Sequence, residues 1–294
     1  MTVRIGANPI CWSNDDMQSL GDDISLETCL KEAKEIGFQG MELGHKFPRD
    51  AAGMRRALAP YGLEFVSGWY SAALLERDAD AEIKAMRAHL DLLKGMGCQV
   101  MVFAETSNAI HGDVAKPLSQ RPTMPAGGWV QFGRRMTEVA RAALSEGVRI
   151  VYHHHMGTVV QTESDIAALM DSTGPEVSLL LDTGHATFAG IDPVAAAHRW
   201  RSRIAHVHAK DVRPDMMKKS HEKDWSFLTS VVEGTFTVPG DGMVDFDGVL
   251  AELPGYQGWV VLEAEQDPKK APPLQYAGMG YRNLLASLQK AGLR

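Results

Sequence analysis

The chain has 294 residues, 45% of them apolar and 23% charged, with 30 Lys and Arg against 37 Asp and Glu for a net charge of −7. These proportions exclude a disordered, collagen-like or coiled-coil chain, and the negative balance argues against a nucleic-acid partner. No run of about 18 apolar residues is present, so no membrane span is predicted. The opening MTVRIGANPICW enters a strand-like segment directly and lacks the apolar core of a signal peptide. Cys11, Cys29 and Cys98 are odd in number and far apart. A disulfide framework is therefore not expected, and a cytoplasmic location is.

After a first strand at Arg4–Ala7, one unit recurs: a helical stretch, a turn residue, a short apolar run. Lys31–Ile36 and Gly37 lead to Phe38–Leu43. Met54–Pro60 and Tyr61-Gly62 lead to Leu63–Ser67. Ala81–Met96 and Gly97 lead to Gln99–Ala104. Phe132–Glu146 and Gly147 lead to Val148–His153. Asp165–Thr173 and Gly174-Pro175 lead to Val177–Asp182. Asp192–Arg201 leads to Ile204–His208, and Phe246–Leu253 with Gly255 leads to Gly258–Glu263. Each glycine suits the left-handed position just past a helix. Apolar runs this short suit strands buried on both faces, and their alternation with helices predicts a parallel sheet. Eight such units in a chain of this length predict a single α/β domain over 1–294, a (β/α)8 TIM barrel. Two connections, Thr106–Gly128 and Val212–Val244, are too long for turns and follow strand ends. They are expected to wall or cover the site.

In a barrel the active site lies where the strands end. The predicted ends carry Glu42, Glu105, His153-His154-His155, Asp182 with His185, His206 with His208, Lys210 and Asp211, and Glu263 with Glu265. Seven of the eleven histidines, counting His111 in the first long loop, fall at or after strand ends. Imidazole and carboxylate converging without thiolate form a ligand set for a divalent ion such as Mn, Co, Fe or Zn. Alternation puts His153 and His155 on one face with His154 on the other, and pairs His206 with His208. Burying Asp182 and Glu263 without a cation costs several kcal/mol each. Lys210 can orient a substrate oxygen or pair with Asp211 or Glu263. Trp12, Trp69 and Trp225 can wall a sugar-like ring, and Asn8 and Asn14 can meet hydroxyls. Glu42, His185 and His206 join Asn8 and Trp12 as expected substrate contacts.

LDTGH at 181–185, HVHAKD at 206–211 and WVVLE at 259–263 resemble the strand signatures of the xylose isomerase-like barrels. That resemblance implies metal ligation by Asp182, His208 and Glu263. The strand 5 position often holds Glu in that family, and here His153 or His155 takes it. More specifically, GANPICWSNDD at 6–16, YHHHMGTVVQT at 152–162, GTFTVPGDGMVDF at 234–246 and GWVVLEAEQDP at 258–268 resemble the inosose dehydratase family. This implies a cyclic keto-polyol substrate, 2-keto-myo-inositol, that loses water to give a diketone. It also implies Mn2+ or Co2+, with glutathione as a further requirement. Glu263 or a strand 5 His would take the α-proton, and Lys210 or a His would protonate the leaving hydroxyl. A ketose isomerase or epimerase on the same scaffold is the alternative. Such enzymes tend to use two carboxylates, and His at strand 5 removes one, which tilts the reading towards elimination. A DNA-repair nuclease on a related barrel would need a basic surface. A non-catalytic sugar-binding barrel would need no metal. Barrels of this type commonly associate, so a homo-oligomer is compatible with the reading.

Overall fold

The computed structural model describes residues 2–294. Its strands are β1 (Arg4–Ala7), β2 (Gly40–Met41), β3 (Glu64–Phe65), β4 (Trp69–Ala72), β5 (Val100–Glu105), β6 (Arg149–His153), β7 (Ser178–Asp182), β8 (Ile204–Ala209), β9 (Asp211–Val212), β10 (Phe236–Thr237) and β11 (Trp259–Leu262). Nine of them form one parallel sheet in the order β3-β2-β1-β11-β8-β7-β6-β5-β4. The two ends of that order, β3 and β4, are successive parts of one strand. Val66 N donates to Met41 O at 2.9 Å on the β2 side, and Val102 N donates to Gly68 O at 3.1 Å on the β5 side. The ring thus closes through the chain itself, as a TIM barrel.

Gly68 sits at the handover. A Cβ there would lie 2.9 Å from His89 Cε1 and 3.0 Å from Leu43 Cβ, so a larger residue would have to push these side chains aside. The third strand predicted over Leu63–Ser67 therefore stops short of the real one, because Gly68 reads as a terminator when it is a crossing point. Helix ends follow the expected pattern at Gly37 and Gly97, which close their helices at φ 109° and 77°. Gly174 departs from it: the helix Glu163–Ser172 ends on Thr173 in an extended conformation. A final helix, Pro273–Lys290, lies beyond the last predicted unit and packs on the helix Leu26–Ile36. Among the described residues no helix is long and apolar enough to cross a membrane.

Strand parity sets both core and site. Met101, Phe103, Ile150, Tyr152, Leu179, Leu181, Val207 and Leu262 join the large apolar layer shared with the helices. Their neighbours Val100, Val102, Val151 and Leu180 form a separate cluster, and Val66, Trp259 and Val261 another, as the inward-facing set does. Continuing that inward parity by two residues reaches His153 from Val151, Asp182 from Leu180 and Glu263 from Val261.

The segment 106–128 is irregular apart from a 3-10 turn at Leu118–Gln120. The segment 212–244 is more ordered than a loop. It holds helices Pro214–Glu222 and Phe227–Val232 and the antiparallel pair β9–β10. The two segments are tied together, Leu118 N donating to Trp225 O at 3.2 Å and Ser119 N to Asp224 Oδ1 at 3.1 Å. Phe188, Phe227, Val231 and Phe236 give the second segment its own apolar cluster. Asp211 pins it. Its carboxylate accepts backbone N–H groups from Val212, Gly240, Gly242 and Val244 at 2.8–3.0 Å. An Asp211→Ala variant strands these donors and is expected to lose about 3 kcal/mol of unfolding free energy. Urea unfolding checks this, and an unchanged midpoint refutes the pinning role.

Candidate active site

Asp182 ends β7 and also caps the short helix Thr183–Phe188, Oδ1 accepting from His185 N at 2.7 Å. The cap turns Oδ2 towards the barrel axis. There it lies 3.4 Å from His153 Nε2, 3.4 Å from Lys210 Nζ and 3.7 Å from His208 Nδ1. Glu263, just past β11, holds Lys210 Nζ at 2.6 Å with Oε1 and His208 Nδ1 at 2.8 Å with Oε2. Asn8, just past β1, donates its amide to Glu263 Oε2 and to Glu42 Oε2, each at 2.9 Å.

Glu42 is the hub of the opposite side. Its carboxylate lies 2.9 Å from His206 Nε2 and 3.0 Å from His208 Nε2, and it accepts the Ser67 hydroxyl at 2.6 Å. Held by Nε2, His208 presents Nδ1 to Asp182 and Glu263. This carboxylate–histidine arrangement is the one that orients metal-bound imidazoles.

Charge is concentrated here. Glu42, Asp182, Glu263 and Glu265 are all buried, as are Lys210 and His208. Burial pushes the Asp182 carboxyl up, but the charges of Lys210 and His185 outweigh it and hold it well below the carboxylate range. For Glu42, burial is likewise outweighed by the charge of His208 and hydrogen bonds from His206 and His208. Burial lowers His208, and the charges of Glu263 and Glu42 overcome it and raise the imidazole well above its ordinary value. Burial lowers His153 and takes His154 down to about 3. Four buried carboxylates thus face the Lys210 ammonium and a ring of imidazoles.

The donors fit a divalent cation. His153, Asp182, His185 and Glu263 offer four ligand atoms all within 4.8 Å of one another. Asp182 Oδ2 is buried and makes no hydrogen bond. A buried carboxylate oxygen that faces imidazole nitrogens of His153 and His208 at 3.4 and 3.7 Å without bonding them suits a shared ion better than a polar network.

The cleft above is lined by Asn8, Glu42, Trp69, His153, His155, His208, Glu263 and Glu265, with Asp15, Asp16, Arg49 and His111 also on its wall. The expected ligands His153, Asp182, His208 and Glu263 are therefore brought together. Among the expected substrate contacts, Asn8 and Glu42 reach the cleft. Trp12 does not: it is fully buried, and its indole N–H donates to Glu32 at 2.7 Å. His206 and His185 are also fully buried, the first held by Glu42 and the second 2.9 Å from Lys210 Nζ. Asn14 spends its carbonyl on the N–H groups of Asp16 and Met17. Trp225 faces a separate groove with Leu118 and Phe188, which leaves Trp69 as the ring wall, edge-on to His153 and His155. Lys210 pairs with Glu263 and Glu265 and leaves Asp211 to the cap. Glu265, named at the last strand end without a role, is the second carboxylate on Lys210.

The chain matches a family described as the xylose isomerase-like TIM barrel over residues 30–286. It is 48% identical to the rhizopine catabolism protein MocC of Rhizobium meliloti, covering 100% of this chain and 91% of that protein. It is 43% identical to the inosose dehydratase of Geobacillus thermodenitrificans, covering 94% of each. Among solved structures, a probable 3-DHS dehydratase from Bacillus anthracis superposes with TM-score 0.70 at 16% identity over 96% of this chain and 99% of that one. An L-ribulose 3-epimerase superposes at 0.69 with 17% identity, covering 99% and 96%. These two likenesses establish the fold. The chain belongs to the xylose isomerase-like TIM barrel family, with inosose dehydratases among its relatives.

Proposed function

We propose that the chain, acting as one barrel domain over 1–294, is a metal-dependent inosose dehydratase that removes water from 2-keto-myo-inositol to give a trihydroxycyclohexane-dione. The observation that carries this reading is the 43% identity to an inosose dehydratase over 94% of both chains. The likeness to an epimerase is one of fold alone, so elimination is preferred over epimerisation.

His153, Asp182, His208 and Glu263 would hold the metal, Mn2+ or Co2+. Bound there, a divalent ion supplies Lewis-acid polarisation of the substrate ketone. The α-proton is taken by Glu263, or by His153 with His185 in its place among the ligands, because a metal-bound imidazole nitrogen has no lone pair for a proton. The β-hydroxyl leaves as water with a proton from His155, which also faces the cleft and lies near Glu265. Lys210 has no exposed surface, so its role is to hold Glu263 and Glu265 in place. Trp69 supplies an apolar face for the ring C–H groups, and Asn8 supplies an amide for a hydroxyl. A small keto-polyol is the only partner this cleft chemistry calls for. Cys11, Cys29 and Cys98 are buried, with burial pushing Cys11 and Cys98 up to about 12, so glutathione would act without a chain thiol.

Three outcomes test the reading. Chelator-stripped protein should not turn over 2-keto-myo-inositol, and Mn2+ or Co2+ should restore the product. Proton exchange with solvent and no loss of water would point to the epimerase instead. Glu263→Gln and His153→Asn should each lower kcat by roughly 10²-fold or more, and unchanged turnover in both refutes the roles. Glu42→Gln should weaken metal binding by about 10–100-fold in calorimetry, since it releases the His208 ring.

A further inference from the structure

We propose that the Lys210 ammonium is a built-in cation that fills a second metal position, so the chain takes one divalent ion where its donors would otherwise take two. The inference rests on the metal reading above and concerns how many ions the cluster admits.

The donors outnumber one ion's needs. Besides the group His153, Asp182, His185 and Glu263, a second group of His155, His185 and Glu265 brings its ligand atoms within 4.8 Å of one another. The two groups share His185, so they adjoin. Lys210 Nζ stands between them, 2.5 Å from Glu265 Oε2, 2.6 Å from Glu263 Oε1, 2.9 Å from His185 Nε2 and 3.4 Å from Asp182 Oδ2. Those four atoms are oxygens and an imidazole nitrogen, the donor set of a divalent transition metal. An ammonium occupying their centre excludes a second ion by space and by like charge.

The backbone is shaped to admit this side chain. Lys210 is fully buried. Its stem passes Gly184, where a Cβ would stand 2.4 Å from Lys210 Cγ and 2.7 Å from Cδ. Any other residue at 184 would displace the lysine. An aliphatic stem threaded through that gap delivers a fixed charge that no chelator removes, and it needs no ion from solution.

The test is metal stoichiometry in the metal-free protein reloaded with Mn2+. Equilibrium dialysis should find one ion per chain in the wild type and two in Lys210→Ala, which opens both the space and the charge deficit. Lys210→Arg should keep one. Lys210→Ala combined with Glu265→Gln should return to one. Two close Mn2+ ions in the alanine variant should also show a coupled electron paramagnetic resonance signal. No gain of an ion in Lys210→Ala overturns the proposal. So do two ions in the wild type, which anomalous diffraction from Mn2+-soaked crystals reads even if the variants do not fold. A wild type that binds no ion sinks the metal reading separately, and the increment on removing Lys210 still decides this one.

Discussion

Four buried carboxylates linked through Asn8, His208 and Lys210 are the constraint around which this molecule is organised. Glu42, Asp182, Glu263 and Glu265 cannot share a dry barrel mouth unless positive charge is placed among them. The chain answers with Lys210 and, in the proposed reading, with a divalent ion that would take the place of a proton on His208 Nδ1. Each answer has its own positioning device. Lys210 reaches the cluster past Gly184, His208 is gripped at Nε2 by Glu42, and Asp182 is aimed by the helix it caps. Geometry and charge balance are here the same problem.

Much of this was legible in the sequence because strand parity is a simple code. Residues two apart on a buried strand face the same way. The inward row therefore runs Val151 to His153 and Val261 to Glu263, and the ligand candidates can be listed from strand ends alone. Glu265 also stands at that strand end, but its tie to Lys210 is not readable from parity because β11 stops at Leu262. Direction beyond the strand was not legible. Trp12 lies one short turn past β1, and nothing in its neighbours says that its indole turns to Glu32 and the core. His206 shares the face of His208 but sits one step deeper, where Glu42 takes its nitrogen.

The fold shows the same division. Eight short apolar runs punctuated by glycine were enough to infer the barrel, since their regular alternation with helical stretches points to a parallel sheet. The half-strand Trp69–Ala72 was lost behind Gly68. The helix Pro214–Glu222 was lost for another reason: it buries only Ser220 and carries no apolar stripe. Such a helix is held by its surroundings, here the β9–β10 pair and the aromatic cluster, and its own residues do not announce it.

Lys210 and Asp211 are consecutive, yet they serve different levels of the molecule. One settles the charges at the barrel mouth, and the other gathers four backbone N–H groups of the cap above it. Floor and roof therefore hang from a single peptide unit. The roof also leans on its aromatic cluster and on the first long segment, but its tie to the floor runs through Asp211. A shift of that peptide unit therefore moves the charges below and the enclosure above together.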